Sequence, residues 1–306
     1  MPALSGATEW LNSEPLGPAE VRGHAVLVNF WTFTCINWLR QEPYVRAWSR
    51  TYRNEGLVVL GIHTPEFSFE HEIDRVRRAI KEREIDYPVA VDNDYAVWRA
   101  FDNHYWPALY FVDAEGIIRD QHFGEGRYEQ SERVIQRLLD SDRAPVAVER
   151  YGVEAEADWE NLATPETYLG YSRGDAPSSA VFDVRRTYRP PESLRLNHWG
   201  LSGEWTVGPE SVVLDQAGGS IAFRFRARDA HLVLSHREHG AIPFRVRLDG
   251  AAPGAAGGVD VDKDGTGELR DGRLYQLVRQ VGEVRERTVE ITFLGRGAEA
   301  YVFTFG

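Results

Sequence analysis

The sequence predicts two domains of different class: an α/β unit with an antiparallel edge, then an all-β sandwich of jelly-roll type. Three observations carry this. The chain has 306 residues, about twice a common single-domain length. Up to residue 143, continuous apolar β-branched runs alternate with helical patterns, as in a mainly parallel sheet covered by helices. From about residue 165, short alternating segments are punctuated by turns, as in packed antiparallel strands. The expected boundaries are a first domain over 1–143, a linker over 144–164 and a β domain over 165–306.

"HAVLVNF" (24–30) reads as a buried parallel strand, because it is continuously apolar and rich in β-branched residues. In "WLRQEPYVRAWSRTYRN" (38–54), Leu39, Val45 and Trp48 recur at helical spacing, with Pro43 as an internal kink and Gly56 as the stop. "LVVLGIH" (57–63) is a second buried strand, and "FEHEIDRVRRAIKERE" (69–84) an amphipathic helix. "YPVAVD" follows as a strand and "DYAVWRAFD" as a short helix. "YWPALYFVDAEGIIRDQHFGEG" reads as a hairpin turning at Glu115-Gly116, and "EQSERVIQRLLD" (129–140) as the closing helix. The linker carries prolines and small residues with no sustained period. Beyond it, "GEWTVG", "SIAFRFRA", "HLVLSH", "FRVRLDG", "RTVEITFL" and "AYVFTFG" are among the alternating strands, and "GAAPGAAGG" reads as a flexible loop.

Composition narrows the function classes. Hydrophobic residues make up 42% and aromatics 12%, enough for packed cores rather than disorder. The net charge is −12, and both sides of residue 143 are acidic, which argues against nucleic acid or an anionic membrane as main partner. No apolar stretch approaches the roughly 18 residues of a membrane-spanning helix. "MPALSGATEWLNSEPLG" lacks the basic and apolar regions of a signal peptide, and one cysteine excludes an internal disulfide. Together these features predict a cytoplasmic protein.

The stretch richest in chemistry is "VNFWTFTCINWLRQEPYVRAW" (28–48). Cys35 stands where a buried strand becomes a helix, so unpaired helix N–H groups and the positive dipole end would stabilise its thiolate. The alternative, an inert buried thiol, stays open on these residues alone.

With "NFW", Cys35 and Pro43, the segment resembles the thioredoxin fold of TlpA-like and DipZ-type proteins. "GLVVLGIHTPEF", "YPVAVDNDYAVW" and "YWPALYFVDAEGIIRDQHFGEGRY" are similar to the periplasmic region of the DipZ type. The similarity continues through "TPETYLG" and "AYVFTFG", where those proteins carry a β-sandwich likened to carbohydrate-binding modules. The resemblance implies an α/β thioredoxin-like domain followed by that sandwich, Cys35 as catalytic thiol, and a cis bond before Pro107 set against it. Trp106, Pro107, Trp38 and Thr32 are then the residues expected around a substrate, with Pro107 shaping a ledge for an extended client peptide.

Three departures qualify the resemblance. Trp38 replaces the second cysteine and is expected to lie across the helix N-terminus. Gln41 stands where TlpA-like proteins often carry a buried glutamate, and the nearest acid is Glu42. The membrane-embedded electron-transfer domain of the DipZ type has no counterpart in this sequence. The function expected is a monothiol thiol-disulfide oxidoreductase in which an external thiol resolves mixed disulfides at Cys35. Its partners would be protein or small-molecule thiols and disulfides, and no cofactor is expected. A non-catalytic scaffold using the Pro107 ledge and the sandwich is the alternative. A one-cysteine thiol peroxidase is the third reading, because Thr32 fits half of the pattern P-x-x-x-T-x-x-C; Val28 stands at its proline.

Elsewhere, "DVDKDGTGELRD" (260–271) has the acid and glycine spacing of a calcium loop but no flanking helices, so a solvated turn competes with it. His63, His236 and His239 complete no visible ligand set, and no metal is expected. In the β domain, Trp205 reads as core, whereas Trp199, with Tyr275 a lesser candidate, would be the platform for a sugar ring. Sugar binding there is expected to be weak or absent.

Overall fold

The structure, a computed structural model, describes residues 1–174, 180–190, 192–236 and 240–306. The chain divides into two compact units, Met1–Ala155 and Glu156–Gly306.

The first unit runs β1 (Glu9–Leu11), β2 (Ala25–Trp31), α1 (Ile36–Tyr52), β3 (Leu57–His63), α2 (Ile73–Glu82), β4 (Val89–Val91), α3 (Ala96–Ala100), β5 (Ala108–Val112), β6 (Ile118–Phe123) and α4 (Tyr128–Leu139). Its sheet has the order β1-β4-β3-β2-β5-β6. β2, β3 and β4 are parallel, with Val28 opposite Leu60, while β1, β5 and β6 run antiparallel to their neighbours. This is the α/β thioredoxin-like architecture the sequence predicts. β2 is buried at all seven positions, which is why it is apolar without alternation. Gly61 lies in β3 beneath Trp31: a Cβ there would stand 2.9 Å from the Trp31 Nε1, so the indole can cross only a residue without a side chain.

Two local features differ from expectation. The helix expected over 69–84 begins only at Ile73. Residues Ser68–His71 form a separate 3₁₀ turn, because the Glu70 carboxylate accepts the Glu66 and Phe67 N–H groups and closes the chain before the helix starts. β1 was not expected at all. Three residues are too few for a periodic signal, and pairing with β4 (Trp10 opposite Ala90) defines the strand. Within the stretch read as a linker, the turn Gly152–Glu154 packs with Val153 buried, and Glu154 pairs with Arg83 at 2.9 Å.

The second unit is mostly β, a curled, half-barrel sandwich. Its strands are β7 (Thr167–Tyr168), β8 (Arg186–Tyr188), β9 (Trp199–Val207), β10 (Val212–Leu214), β11 (Ser220–Phe225), β12 (Asp229–His236), β13 (Ile242–Leu248), β14 (Thr266–Leu269), β15 (Arg273–Arg279), β16 (Arg287–Phe293) and β17 (Ala298–Phe305). Hydrogen bonds connect them in the order β14-β13-β16-β11-β9-β10-β17-β12-β15, with β7 on β17 and β8 on β9. β13 alternates buried and exposed residues, as one solvated face requires, whereas β17 is buried along its whole length. Among the described residues no helix is long and apolar enough to cross a membrane.

Candidate functional site

Parallel pairing of β2, β3 and β4 brings the loops that follow them to one end of the sheet. Main-chain bonds tie those loops together: Thr64 N–H donates to Trp31 O at 3.0 Å, and Asp92 N–H to His63 O at 2.8 Å. β5, antiparallel to β2, enters the sheet from the same end, so Trp106 and Pro107 arrive beside the loop that carries Cys35. This is the edge of an open sheet where ligands of such folds gather.

Cys35 is the N-cap of α1, with extended backbone (φ −70°, ψ 115°) and a half-buried side chain. Its N–H donates to Thr32 O at 3.3 Å, and its carbonyl accepts the Leu39 N–H at 3.0 Å, locking the residue at the first turn. The first turn holds no acidic side chain, so no acid of that turn offsets the positive end of the helix next to the sulfur. The Sγ donates to Trp106 O at 3.7 Å, and the Trp106-Pro107 bond is cis. The Trp106 indole is anchored by Nε1 donating to Thr64 O at 3.0 Å and by Trp98, whose ring centroid is 4.3 Å away.

Trp38 does not lie across the helix end. Its side chain has no exposed surface; it stacks on Trp31 at 4.4 Å and donates from Nε1 to Asn29 Oδ1 at 3.3 Å. An indole placed one turn into a helix packed on a sheet is drawn under the helix, where it buries most area. Asn29 also donates to Gln41 Oε1 at 2.9 Å, Gln41 donates to Gly124 O at 3.1 Å, and Gly124 N–H donates to Pro107 O at 2.8 Å. One chain of hydrogen bonds thus runs from Trp38 to the proline beside the thiol. Arg40 and Glu125, both nearly buried, reinforce it with an ion pair at 2.7 Å.

Three buried acids surround this framework. Burial pushes Glu42 up to about 7, against the opposing pull of Arg46 at 3.4 Å. Burial, and secondarily Glu66, pushes Glu70 up to about 7, while its oxygens accept Thr34 Oγ1 at 2.5 Å, Glu66 N–H at 2.5 Å and Phe67 N–H at 3.0 Å. Asp92 is raised by burial, and caps α3 by accepting the Val97 and Trp98 N–H groups. His63, sandwiched between Trp31 and Phe33, is held neutral by burial, with its pKa down at about 3.

Of the residues singled out from sequence, Cys35, Trp106 and Pro107 come together. Thr32 contributes its carbonyl, and its hydroxyl is buried on the side of Glu70, whose carboxylate it favours. Glu70, Thr34 and Asn29 escaped the sequence reading. The signal for Asn29 was a lone polar residue in an apolar strand, which must find partners once buried.

The other candidates disperse. Trp199 opens β9 and is 6% exposed within the core, so it offers no platform for a sugar ring; Trp205 and Tyr275 are fully buried. In the 260–271 loop, Asp260 accepts Gln276 N–H and pairs with Arg273, while Asp262 accepts the Asp264 and Thr266 N–H groups. These carboxylates build the hairpin, and among the described residues no group of three or more His, Cys, Asp or Glu converges as a metal site. His236 bonds Arg270 O at 2.7 Å, and His239 lies outside the described residues.

Residues 9–121 match the model of the AhpC/TSA family, and residues 164–306 match that of the thioredoxin-like C-terminal domain. Protein DipZ of Mycobacterium tuberculosis is 36% identical over 246 residues, which is 76% of this chain and 34% of that protein. The DipZ of Mycobacterium bovis matches to the same extent. The chain therefore spans about a third of the length of these relatives. Thiol-disulfide oxidoreductase YkuV of Bacillus subtilis is 29% identical over 139 residues, covering 45% of this chain and 93% of that protein. Among solved structures, a thioredoxin-like protein in the oxidized form is 28% identical with a TM-score of 0.43, over 46% of this chain and 96% of that one.

The N-terminal unit is accordingly an α/β thioredoxin-like domain, similar in sequence to a thiol-disulfide oxidoreductase. A distinct C-terminal domain follows it, and the whole is related to DipZ-type proteins at moderate identity. This kinship overturns the expectation of a cytoplasmic protein. The named relatives of the DipZ type are extracytoplasmic redox proteins, and a low cysteine count does not by itself fix the compartment.

Proposed function

We propose that this protein is a monothiol thiol-disulfide oxidoreductase acting through Cys35. The observation that carries the reading is the half-buried sulfur at the N-cap of α1, 3.7 Å from the carbonyl before the cis proline. The thiolate attacks a client disulfide; the Cys35–client bond forms as the client S–S bond breaks, and the departing client thiolate takes a proton from solvent. An external thiolate then attacks the client sulfur and expels the Cys35 thiolate, so the client sulfur ends bonded to the external thiol with no other oxidant or reductant. A client segment crossing the Trp106-Pro107 ledge would meet Tyr105 and Phe123, both exposed with ring centroids 5.0 Å apart.

The test is the pH dependence of Cys35 alkylation, together with trapping of a mixed disulfide. A half-maximal rate below the ordinary thiol value of about 8.5, with a trappable adduct, supports the oxidoreductase. A slow thiol with an ordinary titration supports the scaffold reading, which the integration of Trp38 into the core also favours.

A further inference from the structure

We infer that Glu70 is a positioning residue for Cys35: through the Thr34 hydroxyl its carboxylate holds the turn that carries the thiol, and that hydrogen bond reverses direction when Glu70 takes up a proton. The inference rests on Cys35 being the working thiol.

The geometry is specific. Glu70 has no exposed surface, and its two oxygens are used differently: Oε2 accepts two main-chain N–H groups from Glu66 and Phe67, and Oε1 accepts the Thr34 hydroxyl at 2.5 Å. Thr34 is itself 1% exposed, so water does not substitute for the carboxylate. It immediately precedes the helix N-cap. The same turn is closed from the other side by the Cys35 N–H on Thr32 O, leaving the sulfur on a segment pinned at both ends.

A proton added to Glu70 goes to Oε1, the oxygen that no main-chain N–H occupies. The acid then donates, Thr34 Oγ1 accepts, and the Thr34 hydroxyl proton must find another acceptor in the β2–α1 loop. The carboxyl lies near pH 7, so both arrangements are populated under ordinary conditions. The charged group facing it is Glu66 on its own loop, which favours the proton. From the β2–α1 loop, the Thr34 and Thr32 hydroxyls oppose this, as does the Phe67 N–H from its own loop. His63, at the end of β3, is neutral throughout, and Asp92 on the next loop is occupied by Thr64 and the α3 N-terminus.

The test uses the full chain, in which every alkylated molecule reports Cys35 because there is no other cysteine. Iodoacetamide rates are measured from about pH 5 to 9, with the Glu70 carboxyl followed by NMR. The parent is expected to show two inflections, the lower coinciding with Glu70 and amounting to a step of about three- to tenfold, the effect of one hydrogen bond. Glu70→Gln can offer Oε1 to the two N–H groups and its amide N–H to Thr34, so it mimics the protonated form. It should follow the low-pH limb at every pH, leaving the thiol inflection alone. Thr34→Val should also lose the lower inflection while Glu70 still titrates, and Thr34→Ser should restore it. If Glu70→Gln does not fold, the Thr34 pair decides the matter. A parent curve with one inflection, or variants that superimpose on the parent, overturns the inference. A thiol with an ordinary pKa but a lower step that follows Glu70 would instead sink the oxidoreductase reading and leave the coupling standing.

Discussion

The indole of Trp38 lies nearly flat on that of Trp31, 18° from parallel, with its Nε1 bonded to Asn29. The residue that occupies the position of a resolving cysteine is therefore part of the joint between α1 and the central strand. The same Asn29 holds Gln41, and Gln41 reaches the strand of Pro107 through Gly124. Trp38 and Gln41, the two positions that depart from the TlpA-like pattern, thus belong to a single polar framework.

Trp38→Cys should form an internal disulfide with Cys35, because position 38 is one helical turn beyond it. Mass spectrometry after oxidation should show a chain lighter by the hydrogens of both thiols, whereas Trp38→Ala should keep one titratable thiol. Both lose the Trp31 stack and about 3–5 kcal/mol of stability. A cysteine variant that stays reduced in oxidant would show that the helix end no longer accommodates a dithiol.

Gln41→Glu should destabilise the chain at neutral pH by about 1–3 kcal/mol, since a carboxylate would face the Gly124 carbonyl where an amide N–H now donates. Protonation restores the donor, so the introduced acid would have a raised pKa and its cost should shrink as pH falls. Denaturation midpoints at two pH values measure this; equal losses at both would refute it.

Glu42 and Glu70 both titrate in the folded chain at about 7, raised from 4.5. Folding thus retains protons that the unfolded chain gives up. The stability this confers is complete below about 4.5 and is lost as pH rises through about 7. Glu42→Gln removes one such group and should stabilise the chain by about 2 kcal/mol at pH 8 while changing little at pH 4. Urea unfolding at the two pH values checks the sign.

Trp199→Ala should lower the unfolding free energy of the second unit by about 3–5 kcal/mol, because the ring is buried in the sandwich core. A glycan affinity abolished by this variant with no loss of stability would contradict the placement of Trp199.

The two central strands, the hairpin after Pro107 and the helix behind Cys35 were legible in the sequence, as was the change to β texture near residue 165. Each depends on periodicity, and strands buried on both faces announce themselves as unbroken apolar runs such as 25–31 and 57–63. The position of the cysteine at a strand-to-helix junction was legible for the same reason: it is a local property of neighbouring residues. Where Trp38 points, that Glu70 closes a turn instead of opening a helix, and that Trp199 enters a strand were decided only by the tertiary structure. Those outcomes depend on partners distant in sequence, Asn29 beneath the helix, Thr34 across the loop and the facing strands of the sandwich. A side chain takes the direction that buries it and satisfies its polar atoms, and no local pattern records where those partners will be.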